Sequence, residues 1–196
     1  SRALFAGLRA AQPFASPKLM TPPAGARHQL SAAVPAAEVS MALRTGPFLS
    51  RDDAVYDLLA FALQTELSRR LPSAASLVSA YANQRSMVLA SVFSVTANAQ
   101  KGVSAAKASE ALTALLEDIG RAGLSDSQLR EAQAAVFKHL RSVSQMPYAR
   151  ARQLAGYQSV KRSPDFIKGD VARYAVVTAA DLNSALRRFL DSKHRQ

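Results

Sequence analysis

The chain of 196 residues contains no cysteine, which excludes disulfides, thiol catalysis and thiolate metal sites. Histidine is scarce: His28, His139 and His194 stand alone, with no two at the spacing that would hold a metal. His139, in "VFKHLRS", reads as a helix-surface residue. Long apolar runs are also missing. The longest candidate, Met87 to Val95, is broken by Ser91 and Ser94 and falls well short of the roughly 20 residues of a membrane-spanning helix. A soluble or peripheral protein is expected.

Acidic residues are few, and their scarcity is uneven. Residues 1–49 carry five Lys/Arg against Glu38 alone, residues 50–149 carry ten against nine, and residues 150–196 carry ten against four. The net charge of +11 and the pI near 10.6 therefore come from the two ends. Nucleic-acid binding is one reading of such a balance. However, the aromatics considered for base stacking, Tyr81 and Phe93, sit in apolar strand patterns and not among the arginines. Residues 1–27 have no acid at all, are rich in Ala, and include Arg2, Arg9, Lys18 and Arg27. That composition is the signature of a mitochondrial or plastid presequence; the plainer alternative is a basic arm lying on a surface.

With 48% hydrophobic and 20% charged residues, the remainder is expected to fold around a core. In "AAEVSMALRTGP", Val39, Met41 and Leu43 alternate with Ser40, Ala42 and Arg44, as in a half-buried strand. Ser50 and Asp53 read as a capping box opening a helix over 51–71, apolar nearly all round at "LLAFAL" and stopped by Pro72. "SLVSAYANQ" and "SMVLASVFSVTAN" read as two strands, with the hairpin turn placed at Asn83–Ser86. Helices follow. The first covers 105–122 and ends at Gly123, where a left-handed cap is expected. The second opens with the Ser125/Gln128 capping box, and Pro147 breaks it or starts the next, 148–161, which Ser163 and Pro164 close. The last is capped by Thr178 and Asp181. The order predicts an α+β fold: an antiparallel-rich sheet with helices on one face, preceded by an irregular arm. The arm is assigned to 1–27 and one α+β unit to 28–196.

These phrases, in this order, resemble one half of a mitochondrial processing peptidase-type protein, of the pitrilysin-like metallopeptidase family. Gly123, Leu124, Ser125, Leu129, Ala132 and Gln133 match a late family phrase. Val177, Thr178, Asp181, Leu182, Phe189 and Leu190 match the opening and close of its last helix. Active members carry His-x-x-Glu-His, which holds zinc and supplies a general base. The sequence has no such motif, and the resemblance is to the non-catalytic C-terminal unit, so no catalytic, metal or cofactor residue is expected. Active relatives grip substrate backbone through an Arg and a Tyr before the second strand. The equivalent here is "LSRRLPSAASLVSAY", in which Arg69, Arg70 and Tyr81 are present, the Glu and Gly of the family phrase are lost and Pro72 is inserted. Those three residues are the candidate vestigial peptide contacts, with a packed strand residue as the alternative reading of Tyr81.

The hairpin "VSAYANQRSMVLASVFSVTANA" looks most like that of core protein 2 in the cytochrome bc1 complex (complex III). The resemblance implies a structural, non-enzymatic subunit of a mitochondrial respiratory assembly, peripheral on the matrix face of the inner membrane. Its expected partners are other subunits, including a related peptidase-like chain. Alternatives are the non-catalytic half of a split processing peptidase, or an accessory subunit of ATP synthase, complex I or the mitoribosome. An isolated half would expose the face its counterpart covers, so the sheet and the 51–71 helix are expected to lie against another chain. The clusters "RARQ" at 150–153 and "RR" at 187–188 read as solvated or partner-facing charge.

Overall fold

The structure is a computed structural model that describes residues 28–31 and 34–191; the basic arm 1–27 and His194 lie outside the described residues. Strand β1 (Glu38–Thr45) is followed by helix α1 (Arg51–Arg70) and a 3-10 turn (Leu71–Ser73). The hairpin β2 (Leu77–Arg85) and β3 (Ser91–Ala99) comes next. Then come α2 (Ala105–Ala122), α3 (Asp126–Gln145), α4 (Pro147–Lys161), α5 (Ile167–Ala175) and α6 (Ala179–Leu190). The three strands form an antiparallel sheet in the order β1-β3-β2. The α+β expectation holds, with the helices gathered on one face.

Period-two alternation decides which face that is. Leu43 pairs with Phe93 and Met41 with Val95 across β1 and β3. On β3, Phe93, Val95, Ala97 and Ala99 are buried together. Phe93 anchors the centre, with the Tyr56 ring 5.1 Å away and the Phe189 ring edge-on at 4.9 Å. Helix α1 lies between this sheet and the other helices. Leu58, Leu59, Leu63 and Leu67 are fully enclosed, and Phe61 is the one large apolar residue of α1 that remains exposed.

This enclosure corrects an expectation. The apolar α1 is buried by its own chain, from the sheet on one side to α3, α5 and α6 on the other. The sheet face left open is not oily either. It carries Ser40 bonded to Thr96 (2.9 Å), Asn98 bonded to Ser79 (3.0 Å), and Asn83, with Tyr81 and Val78 as its exposed apolar groups.

The hairpin turn also lies further along than the spacing predicts. Asn83 and Gln84 remain in the ladder opposite Ser94 and Phe93, so the turn is Ser86–Ala90. Side chains make the difference. Gln84 is held by Thr45 and Asp53, and the turn is closed by the Met87 N–H on Ser91 Oγ and by the Phe48 N–H on the Met87 carbonyl. A second departure is α5, which the pattern does not announce. It has no side-chain cap and contains Gly169, so tertiary packing of Asp170 and Tyr174 has to hold it.

The locally coded ends agree with expectation. Ser125/Gln128 and Thr178/Asp181 form complete capping boxes. Ser50 accepts from Asp53 N–H as predicted, but the Asp53 carboxylate turns away from the cap, so that box is only half formed. Gly123 ends α2 as expected but not as a left-handed helical cap: φ is positive at 74°, which a side chain would strain, while ψ is extended at 166°. This turn delivers Leu124 to Asn183 of α6, whose amide accepts from the Leu124 N–H and donates to its carbonyl, both at 2.8 Å. Replacing Asn183 with alanine strands both backbone groups and should lower the unfolding free energy by about 2 kcal/mol. The expected reading is a lower urea midpoint with an unchanged m-value.

Candidate functional site

The predicted contact residues occupy two places. Arg69 and Arg70 end α1, where both reach back to Glu66, which is nearly fully buried. Arg69 donates Nε to Oε1 at 3.1 Å and Nη2 to Oε2 at 2.5 Å, and Arg70 donates Nε to Oε2 at 2.9 Å. Gln128 of α3 adds a fourth donor at 2.7 Å, and Arg70 also bonds Asp118 of α2. The Arg69 hydrogen bond, with Arg70 beside it, holds the Glu66 carboxyl below its usual range despite burial. This cluster therefore ties α1 to α2 and α3. The Arg69 guanidinium remains reachable from solvent, whereas Arg70 is largely covered. Tyr81 sits elsewhere, half exposed on the open face of β2, with no hydrogen bond to either arginine among the described residues.

The largest concentration of charge inside the molecule was not legible as a site in the sequence. Arg173 of α5 enters between three carboxylates: Asp53 and Asp57 of α1, one turn apart on one face, and Asp170 on its own helix. Its distances are 3.1 Å to Asp53 Oδ2, 3.7 Å to Asp57 Oδ2 and 2.6 Å to Asp170 Oδ1, and its side chain is 10% exposed. Asp53 is wholly buried and fully engaged. One oxygen also accepts from the Leu49 N–H, and the other takes Ser86 Oγ at 2.6 Å, Gln84 Nε2 at 3.2 Å and Ser91 Oγ at 3.4 Å. Two tyrosines complete the cluster. Tyr174 donates to Asp57 at 2.6 Å beneath the Arg173 guanidinium, and Tyr157 of α4 donates to Asp170 at 2.5 Å.

Burial, then the neighbouring charge of Asp53, pushes the Asp57 pKa up to about 7. Burial and the adjoining carboxylates raise both tyrosines. Burial alone would lower Arg173, but Tyr174, Asp170 and Asp53 outweigh it and the guanidinium stays charged. A sequence clue existed: two acids four residues apart on an otherwise apolar helix require a buried cation. The identity of that cation, 120 residues downstream, was not in the local pattern.

Whether this fold's zinc could sit here is decided by the donors. The buried group of carboxylates around Arg173 already encloses a guanidinium, and among the described residues no imidazole adjoins it. His139 is exposed on α3 and His28 is exposed near the first described residues. No group of three or more potential ligands occurs among the described residues. The side chains present do not fit a zinc ion. The open groove between α1 and α6 is likewise bridged by its own ion pairs, Arg51–Asp181 at 2.9 Å and Arg188–Asp52 at 3.8 Å.

No family model and no curated protein matches the chain by sequence. Solved structures do match its fold. A protease from Helicobacter pylori superposes with a TM-score of 0.81 over 99% of this chain and 49% of its own, at 14% identity. The inactive domain of a peptidase M16 from Pseudomonas fluorescens gives 0.60 over 83% of this chain and 40% of its own, at 13% identity. A chain of complex III2 from Candida albicans gives 0.66 over 80% of this chain and 40% of its own, at 12% identity. The chain thus spans about half or less of each, and has the fold of one M16-like peptidase unit.

The Asp57 shift fixes the sign of a pH effect. The folded state holds a proton that the unfolded chain releases above about pH 4, so stability should fall as pH rises towards about 7 and stay low beyond it. Thermal unfolding is expected to show a lower midpoint at about pH 8 than at about pH 6, with the difference flattened in Asp57→Asn. A midpoint that rises over that interval would mean that Asp57 is ionised throughout.

Proposed function

We propose that this chain, with the fold of an M16-like peptidase unit, is a non-catalytic structural subunit of a mitochondrial respiratory complex. The finer reading is a core-protein-2-like component of complex III, peripheral on the matrix face of the inner membrane. The observation that carries the proposal is the shared fold: an inactive M16 domain and a chain of complex III both have it, and this sequence contains no His-x-x-Glu-His. Two further features support it. The buried carboxylates of Asp53 and Asp170 are both bonded to Arg173 and enclosed with it, so they present no open acid to a metal or substrate. No helix among the described residues is long and apolar enough to cross a membrane, which accords with a peripheral position.

A second reading is the non-catalytic half of a split processing peptidase. It is favoured by the open sheet face, which leaves Tyr81 half exposed on β2. In that reading Tyr81 supplies an exposed ring for peptide contact. Arg69 keeps a solvent-facing guanidinium, and Arg70 retains a structural role on Glu66 and Asp118.

Native purification through a tag on this chain, followed by mass spectrometry and zinc analysis, separates the readings. Co-purification with cytochrome-bearing subunits and a second peptidase-like chain is the expected result. Recovery with a chain carrying His-x-x-Glu-His, one zinc per complex and peptide hydrolysis would replace the structural reading with the split peptidase. Recovery with ATP synthase, complex I or ribosomal subunits would reassign the host.

A further inference from the structure

Between Ala132 and Pro164 the sequence has Lys138, Arg141, Arg150, Arg152, Lys161 and Arg162 and no acid. These six residues supply six of the eleven net positive charges. The structure folds the stretch into the C-terminal half of α3 and the whole of α4, joined at the single residue Met146. All six side chains are exposed, and no ion pair among the described residues engages any of them. The basic residues that do form ion pairs (Arg51, Arg69, Arg70, Arg121, Arg173 and Arg188) lie on the other helices.

At the tip of this corner Met146 is 50% exposed and Tyr148 76%, on either side of Pro147. Helix α4 spans about 22 Å at 1.5 Å per residue, and Tyr157 is its single buried side chain. Its outward side is nearly featureless, with Ala151, Ala155 and Ser159 exposed beside Arg152.

We propose that the α3–α4 corner docks on an anionic lipid bilayer surface, with its cations over the headgroups and Met146 and Tyr148 in the interfacial layer. Three properties favour a bilayer over other anionic partners. Cations spread along two helices, with an apolar tip between them, match a charged plane above a hydrocarbon layer. A nucleic acid would be gripped by several exposed aromatics among the cations, and here Tyr148 is the one exposed ring, Phe166 beneath Lys161 being partly buried. A folded acidic protein would need relief to interlock with, and the small residues of α4 provide little. The inference does not depend on the host complex: a chain whose corner is covered by another subunit would fail the lipid test and still co-purify as described above.

The test uses the full chain and sedimentation with phosphatidylcholine vesicles, with and without phosphatidylglycerol, at physiological salt. Binding is expected only when phosphatidylglycerol is present, weakening as salt is raised. Each cation near such a surface is worth about fivefold in partitioning. The quadruple variant Lys138→Gln/Arg141→Gln/Arg150→Gln/Arg152→Gln should therefore bind at least about a hundredfold more weakly, with unchanged far-UV circular dichroism. Should that variant misfold, Arg150→Gln/Arg152→Gln is read in the same way, with a loss of about twentyfold. Met146→Ser/Tyr148→Ser should weaken binding severalfold and leave its salt dependence intact. Absence of wild-type binding to phosphatidylglycerol vesicles would overturn the proposal. So would full binding by the charge variants, which would assign the lipid contact to other cations such as those of residues 1–27. Salt-sensitive binding to RNA homopolymer, lost in the same variants and unaccompanied by lipid binding, would reassign the corner to nucleic acid.

Discussion

Arg173 is the constraint on which the interior depends. Asp53 is completely buried near the start of α1, and a carboxylate there without a counter-charge would be untenable. Arg173 supplies the charge, and it also reaches the Ser50 carbonyl, Asp170 and the Tyr174 hydroxyl. Removing one partner of such a pair typically costs about 3–5 kcal/mol, because the other is left buried and uncompensated. The interaction also fixes geometry. Asp53 touches the start of α1 and the hairpin turn, Asp170 holds Tyr157 of α4, and Tyr174 holds Asp57. One guanidinium thus sets the positions of α1, α4, α5 and the turn, and it does so for a helix, α5, that has little intrinsic reason to form.

Around that centre the layers follow from side-chain size. Small residues on the inner face of β2 and β3, namely Ala80, Ala97 and Ala99, let the leucine stripe of α1 approach the sheet, while Phe93 fills the middle against Tyr56 and Phe189. The result is a unit that buries its most apolar helix by itself. Its open sheet face is made of hydroxyl and amide groups that bond to one another, with Tyr81 among them. Such a face is suited to a wet, hydrogen-bonded contact and not to a hydrophobic interface, which changes what a neighbouring subunit would have to offer.

What was legible in the sequence was what is encoded locally. The capping boxes at Ser125 and Thr178, the positive-φ glycine at 123 and the alternation on β1 and β3 each depend on residues within a few positions of one another, and each stands where the pattern puts it. The failures have longer range. The turn moved to 86–90 because Gln84 is held by Thr45 and Asp53, 39 and 31 residues away. The Asp53 capping box is incomplete because its carboxylate is committed to a network 120 residues long. Of the candidate contacts, the acids that occupy Arg69 and Arg70 could be sought nearby in Glu66, one turn back. That Gln128 and Asp118 complete the cluster required the fold. Arg173 itself carries no local mark apart from the i, i+3 acid at Asp170.

The cations of this protein therefore divide by what surrounds them. Arg70 and Arg173 face carboxylates inside the molecule and hold helices together, so their charge is cancelled where it stands and contributes nothing to the outer field. Those on α3 and α4 form no ion pair among the described residues, and the far field of the described unit is weighted towards that corner. The described unit thus has two chemically distinct exposed regions, one strongly polarised corner and one polar open sheet. The corner's charge would turn that side towards an anionic surface, and the hydrogen-bonding sheet face lies apart from it.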